Sequence, residues 1–200
     1  MQWRIAISWI FGYLTFYTFT PMIFYFVGGV ESGKYGMSMQ IFTALNSLGI
    51  AWITTKMPLF CELIALKKQK KLYKVFYTSL AQSTFVMIVI NLMVIFIVNI
   101  KLDLFIHFAS RILPLNLIIL LCICSIVNHL IFSISAVIRA QKIEPMLVPT
   151  VINGIAMIGI GWILIPIYGI SGAVWVYTLC TFIGLLAAFY IFYKYKNFID

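Results

Sequence analysis

Charged residues are scarce in this chain of 200 residues: they make up 10% of the composition, and only five of them are acidic. A soluble globular domain carries about 25% charged residues, whereas 64% of this sequence is apolar and its mean hydropathy is +1.08. These values exclude an ordinary water-soluble domain and predict an all-α, polytopic membrane protein. The length allows about six spans with short loops.

The sequence also lacks long polar loops and clustered ligand residues. Two of its four cysteines, Cys122 and Cys124, are two positions apart and therefore point to different faces of a helix. This spacing favours packing over a metal site or a disulfide framework. The longest outer connection, 101–111, is too short to gather the side chains of a glycan polymerase, and we interpret its Asp103 and His107 as interfacial anchors rather than an acid–base pair. We therefore expect neither an enzyme nor a bound cofactor or metal.

One long stretch, 145–193, carries no charged side chain. A single helix through it would be about 73 Å long, against a hydrocarbon core of about 30 Å. The chain must turn inside this stretch, and only the proline and glycine residues of Ile165–Ala173 offer a turn. The sequence thus predicts two membrane helices joined by a tight, uncharged hairpin.

Six segments are long and apolar enough to span a bilayer. The glycines between the first two segments predict a flexible outer turn at 28–36. The predicted helices lie at about 5–27, 37–63, 75–100, 112–138, 146–165 and 170–193.

The basic residues predict the orientation. Ten of them fall on one side of this topology and three on the other, with Lys56 in or beside the second span. By the positive-inside rule both termini are cytoplasmic, and the net charge of +9 reflects topology rather than nucleic-acid binding. The five lysines of the stretch 67–74 are first of all an orientation signal; a second interpretation is that they hold this loop against anionic lipid.

Three side chains are candidates for contact with a substrate. Lys56 precedes Pro58 at the end of the second span, where a cation could meet an anionic head group, although snorkelling to the interface is the competing interpretation. Arg111 is the corresponding candidate on the outer side. His129 lies within the fourth span, where hydrogen bonding between helices is the preferred role. The same role is preferred for the asparagines of the spans, Asn46, Asn91, Asn116 and Asn153.

Three stretches resemble a known family. Tyr35-Gly36 through Pro58 to Lys71-Leu72 is similar to its helix followed by a basic loop, and 139–142 is similar to the turn before its penultimate helix. The stretch Ile165–Ala173 is similar to its last hairpin and is the most specific of the three. The chain thus resembles the carboxy-terminal half of bacterial polysaccharide exporters of the O-antigen flippase type, in the superfamily that also holds the multidrug extruders.

This resemblance implies one six-helix lobe of a two-lobe transporter of about twelve helices, located in the bacterial cytoplasmic membrane. It implies movement of an undecaprenyl-pyrophosphate-linked oligosaccharide to the outer leaflet, by basic residues that face the anionic substrate. The expected partners are the bilayer, this lipid-linked glycan, and either an amino-terminal lobe or a second copy, because one lobe cannot enclose the cavity. Two alternatives stay open: a cation-coupled multidrug antiporter of the same superfamily, and a non-transporting membrane subunit or inactive remnant.

Overall fold

The computed structural model describes residues 2–99 and 111–196, and within these ranges every regular element is an α-helix. Seven helices follow one another along the described chain. They are α1 (Gln2–Tyr17), α2 (Phe19–Phe26), α3 (Gly29–Thr54), α4 (Met57–Ala65), α5 (Gln69–Asn99), α6 (Leu115–Arg139) and α7 (Leu147–Lys196).

The first predicted span consists of two helices, α1 and α2, with an interruption at Thr18. Pro21 lies three residues further on and has no N–H to donate to the carbonyl of Tyr17, so one helical hydrogen bond is missing there. Thr18 keeps helical dihedral angles, with φ −64° and ψ −36°. The proline thus interrupts the hydrogen bonding without reversing the chain.

The first turn is shorter than the sequence predicts. Gly28, with φ 121° and ψ 168°, adopts a conformation that is open to glycine alone, and α3 begins immediately after it rather than at residue 37. Side chains of the first turns of α3 pack against α2: the hydroxyl of Ser32 donates to the carbonyl of Thr20 at 2.8 Å, and the ring of Tyr35 meets that of Phe19. These contacts explain why the glycine-rich stretch 29–36 is helical and why the expected flexible turn was wrong.

The second predicted span, 37–63, is not one helix. α3 ends at Thr54, and α4 starts at Met57 with Pro58 in its first turn. Because proline has no N–H, the carbonyl of Thr54 loses its helical partner. Lys56 is thus the residue before α4 and lies between the two helices.

The chain reverses direction inside α7. Gly169 has φ 59° and ψ −137°, which interrupts the helical geometry and leaves two arms, 147–168 and 170–196. A methyl group on Gly184 would lie only 3.6 Å from Nδ2 of Asn153, whereas an unbroken helix would separate these residues by about 46 Å. The arms are therefore antiparallel, and the turn falls within the stretch 165–173 but needs only one non-helical residue.

Two clusters of buried apolar residues form the interior, with a polar layer between them. The first contains Phe19, Tyr35, Phe42, Leu121 and Tyr177, and the second contains Ile53, Phe60, Leu72, Phe76 and Ile138. Buried polar side chains lie between the two apolar clusters, on α3, α5, α6 and the second arm of α7. They are Asn46, Ser83, Ser125, His129 and Thr181.

Most basic residues of the described chain lie at one end of the bundle, which we call the basic end. Arg139 reaches Ser8 of α1, and Lys196 reaches Tyr77 of α5, both at 3.4 Å. The lysines of 67–71 share a surface depression with Gln141. Lys34 lies at the opposite end, where it pairs with Glu31 at 2.8 Å.

Five helical segments of the described chain are long and apolar enough to cross a membrane, judged by length and composition. They are Ala6–Phe26, Gly29–Ala65, Gln69–Asn99, Leu115–Arg139 and Leu147–Lys196. The last contains the two arms of α7, of about 33 and 40 Å, each of which matches the thickness of a bilayer. Large apolar side chains such as Phe85, Trp162 and Leu186 face outward from these segments, which suits a lipid environment better than water.

Candidate functional site

A cavity of about 380 Å³ lies in the half of the bundle nearer the basic end. Helices α1, α3 and α6 and both arms of α7 surround it. Its polar lining residues are Ser8, Asn46, Asn128, Ser135, Arg139, Thr150, Asn153 and Thr181. Pockets with a few convergent polar groups are where binding sites usually occur, so this cavity is the candidate site.

Helix α6 supplies a polar stripe to this cavity. Asn128, Ser135 and Arg139 are seven and four positions apart, which places them on one face of the helix. The amide of Asn128 donates to the carbonyl of Cys124 and to the hydroxyl of Tyr177, both at 2.9 Å. The stripe is thereby fixed to the second arm of α7.

A two-point ion pair stands at the cavity's basic end. Nε of Arg139 lies 2.7 Å from Oε2 of Glu144, and Nη2 lies 3.0 Å from Oε1. The side chain of Glu144 is fully buried, while that of Arg139 is 23% exposed. Nη2 also donates to Ser8 at 3.4 Å. The pair thus ties the segment that precedes α7 to α6 and α1, and it cancels the charge of the arginine.

Asn46 of α3 presents an unused acceptor. The residue is 6% exposed and lines the cavity, yet its Oδ1 has no hydrogen-bond partner. Buried polar groups are almost always paired, and an unpaired one calls for a water or a ligand. Because the oxygen itself is buried, a hydroxyl, ammonium or amide group in the cavity would reach it only once the side chain turned toward the cavity.

One wall of the cavity is aromatic. Trp9, Tyr13 and Tyr17 come from α1, and Phe132 comes from α6. The rings of Tyr13 and Tyr17 stack with centroids 4.4 Å apart. Aromatic rings together with amides and hydroxyls allow an amphipathic ligand to stack and to hydrogen bond within the same cavity.

The three residues chosen from the sequence are not brought together. Lys56 is exposed beside α4 at the basic end, and Arg111 is exposed just before α6, at the opposite end. Neither lines the cavity. Asp103 and His107, the other pair considered from the sequence, lie outside the described residues.

His129 is fully buried between α3, α5 and α6. Its Nε2 is 2.9 Å from the hydroxyl of Ser83, and a methyl group on Gly49 would come within 2.9 Å of its Nδ1. Nδ1 has no partner, and the ring does not line the cavity. This geometry is that of a hydrogen bond between helices, the preferred interpretation from the sequence, and offers no surface to a substrate.

The cavity residues that sequence reasoning missed are Arg139, Asn46 and Asn153. The sequence presents Arg139 as a loop charge, although Asn128, Ser135 and Arg139 share a helical spacing that places them on one face of α6. For Asn46 and Asn153 the sequence favours hydrogen bonds between helices. No pattern within α3 or α7 distinguishes that role from a cavity lining, because the difference depends on which helices become neighbours.

No family model, curated protein or solved structure matches this chain. The likeness to polysaccharide exporters therefore depends on the three sequence stretches alone.

Proposed function

We propose that the chain spans the bacterial cytoplasmic membrane six times, with both termini in the cytoplasm, as one lobe of a larger transporter. The outward-facing apolar side chains and the two arms of α7 support six spans. The gathering of Arg139, Lys196 and the lysine-rich loop at one end supports a single cytoplasmic face, since positive charge marks that side.

We further propose that this lobe belongs to a flippase for an undecaprenyl-pyrophosphate-linked oligosaccharide, such as an O-antigen, capsule or exopolysaccharide repeat unit. The observation that carries this proposal is a cavity lining that combines amides and hydroxyls with aromatic rings. Sugars carry hydroxyl groups around an apolar ring face, so they can hydrogen bond with the amide of Asn46 and stack on residues such as Tyr13 and Tyr17.

The charged part of such a substrate would be met outside the cavity. Arg139 is already neutralised by Glu144, whereas Lys56 is exposed at the basic end and has no ion-pair partner among the described residues. We keep Lys56 as the cation that first meets the pyrophosphate and Arg111 as its counterpart at the outer end. In alternating access the transporter opens first to the cytoplasm and then to the outside. A substrate that makes stronger contacts with one of these two states would shift the equilibrium between them toward that state.

A second function has one observation in its favour. Glu144 is a fully buried carboxylate in the cavity's ion pair, and aromatic walls suit organic cations. A cation-coupled multidrug antiporter could use such a carboxylate for coupling. Its pairing with Arg139 weighs against this role, because proton or cation binding would first have to break two charged hydrogen bonds.

Transport by reconstituted protein distinguishes these proposals. The chain is produced either together with a candidate amino-terminal lobe or alone as a dimer. It is then placed in vesicles that carry a fluorescent undecaprenyl-pyrophosphate-linked oligosaccharide. Quenching of the fluorescence follows the outward movement of the sugar. A flippase moves the glycan; an antiporter instead moves an organic cation with a proton gradient. Vesicles that move neither substrate favour a non-transporting subunit. If Lys56→Ala leaves glycan movement unchanged, the role proposed for Lys56 is wrong.

A further inference from the structure

A second concave surface lies outside the cavity, where α4 meets α5. It is a depression of about 910 Å³ lined by Ile64, Lys67, Lys68, Gln69, Lys70, Lys71, Leu72 and Gln141. Four lysines from five consecutive positions therefore share one depression with the turn that follows α6. We call this surface the lysine pocket.

The backbone holds the lysine pocket in a fixed shape. Lys67 has φ 54°, and its N–H donates to the carbonyl of Ile64, while the N–H of Lys68 donates to that of Leu63. Leu63 and Leu72, on either side of the turn, are buried in the apolar cluster at the basic end. The lysines are thus held close together by a packed turn rather than by contacts among themselves.

The charge of the pocket is not compensated within the described chain. Lys67, Lys68, Lys70 and Lys71 take part in neither of the two ion pairs found among the described residues, and all four lie in exposed positions around the turn. The pocket also includes the first residues of α5, a helix of 31 residues, whose N–H groups favour an anion. Four positive charges that line one depression make its electrostatic potential positive, which favours an anion there.

An exposed stripe of α5 leads away from the pocket. Lys70, Lys74 and Tyr77 follow one another at helical spacing on it, and the same stripe continues through the exposed side chains of Phe85, Ile88 and Leu92. Phe85 lies about 22 Å along the helix from Lys70. Along this stripe the side chains change from cationic to aromatic and then to apolar. A bilayer favours the same order between its phosphate groups and its acyl chains.

We infer that the lysine pocket binds the phosphate head group of an anionic phospholipid, with the acyl chains lying along the stripe that ends in Phe85, Ile88 and Leu92. A phosphate group is the shared chemistry of a lipid and of a free ion, but only a lipid would use the apolar part of this stripe. The inference rests on the membrane placement proposed above and is independent of any transported substrate. Lysine near an anionic surface contributes about a fivefold gain in affinity per residue.

The test uses the purified full chain in non-ionic detergent, with bound lipids counted by native mass spectrometry. Phosphatidylglycerol is titrated against phosphatidylcholine of the same acyl chains. We expect phosphatidylglycerol to bind at least tenfold more tightly to the unchanged protein, and K70Q/K71Q to weaken it about 25-fold. K70R/K71R keeps the charges and should retain the preference.

The matched control is K142Q/K194Q, which removes two exposed charges at the same end without touching a pocket residue. Its affinity for phosphatidylglycerol should change less than threefold. Equal losses in the pocket and control variants would overturn the inference, because the preference would then reflect overall charge. Displacement of the lipid by an equal concentration of inorganic phosphate would also overturn it, since the pocket would then be a site for a free anion. Circular dichroism shows whether each variant is folded. If K70Q/K71Q is unfolded, K70R/K71R still tests the inference, because loss of the phosphatidylglycerol preference in that folded, charge-preserving variant would contradict it.

Discussion

Arg139, the last residue of α6, holds Glu144 in the connection to α7 through two charged hydrogen bonds of 2.7 and 3.0 Å. The pair stands beside a cavity lined by amides, hydroxyls and aromatic rings. The two hydrogen bonds fix the position of Arg139 and therefore the shape of the cavity's basic end. Because buried Glu144 neutralises the partly exposed Arg139, the cavity itself has no net charge.

Replacing Glu144 with Gln should lower the free energy of unfolding by about 3 kcal/mol, because Arg139 would lose its counter-charge in a largely buried position. Thermal unfolding in detergent measures this loss. Glu31→Gln is the control: its pair with Lys34 is about one third exposed on both sides, so the expected loss is below about 1 kcal/mol. Similar losses in both variants would show that the buried pair has no special structural weight.

Gly169→Ala should destabilise the protein by about 1 to 3 kcal/mol, since φ 59° with ψ −137° belongs to a region that side chains with a Cβ avoid. Gly159 offers the comparison within the same helix. It is helical and has open space around it, so Gly159→Ala should stabilise the helix by up to about 1 kcal/mol. Equilibrium unfolding of the two variants checks both signs, and a neutral Gly169→Ala would contradict the strained turn.

Asn46→Leu should separate stability from binding. The substitution removes an unpaired buried oxygen and keeps the branching and the number of side-chain heavy atoms, and the cavity beside the residue leaves room for the larger methyl groups, so the melting temperature should stay the same or rise. Glycan movement in the vesicle assay should fall at least tenfold, because the substrate would lose its hydrogen-bond acceptor. Asn116→Leu, at an exposed position near the start of α6, should leave movement unchanged. Normal transport by Asn46→Leu would place the substrate elsewhere.

Ser83→Ala tests the role of His129. Loss of the 2.9 Å hydrogen bond between α5 and α6 should cost about 0.6 kcal/mol, the average for such bonds between membrane helices, and no more than about 1.7 kcal/mol. Glycan movement should not change, because neither residue lines the cavity. A transport defect without a loss of stability would instead support contact between His129 and the substrate.

The hairpin illustrates how far local sequence leads. A run of 49 uncharged residues cannot be one membrane helix, and the glycine and proline positions restrict the turn to a few residues. The residue that actually turns is Gly169, while Pro166 stays within the first arm. The dihedral angles of Gly169 depend on how the two arms pack, since Ile165 of the first arm and Ile170 of the second are buried in the same apolar cluster.

The glycine-rich stretch 29–36 shows the opposite outcome. Its composition predicts a flexible turn, yet it forms the first turns of α3, because Ser32 and Tyr35 gain partners on α2. Intrinsic helix propensity is a weak guide where tertiary contacts are available. The same limit explains why Asn46 and Asn153 were not separated from ordinary packing asparagines.

The sequence by itself determined the all-helical class, the approximate positions of the apolar segments and the need for a turn near Gly169. These depend on hydropathy and on backbone geometry, which act over a few neighbouring residues. Only the tertiary structure decided that Asn46, Arg139 and Asn153 line one cavity while His129 does not. Those assignments depend on which helix faces meet across long sequence separations, and a pattern within one helix carries no information about its neighbour.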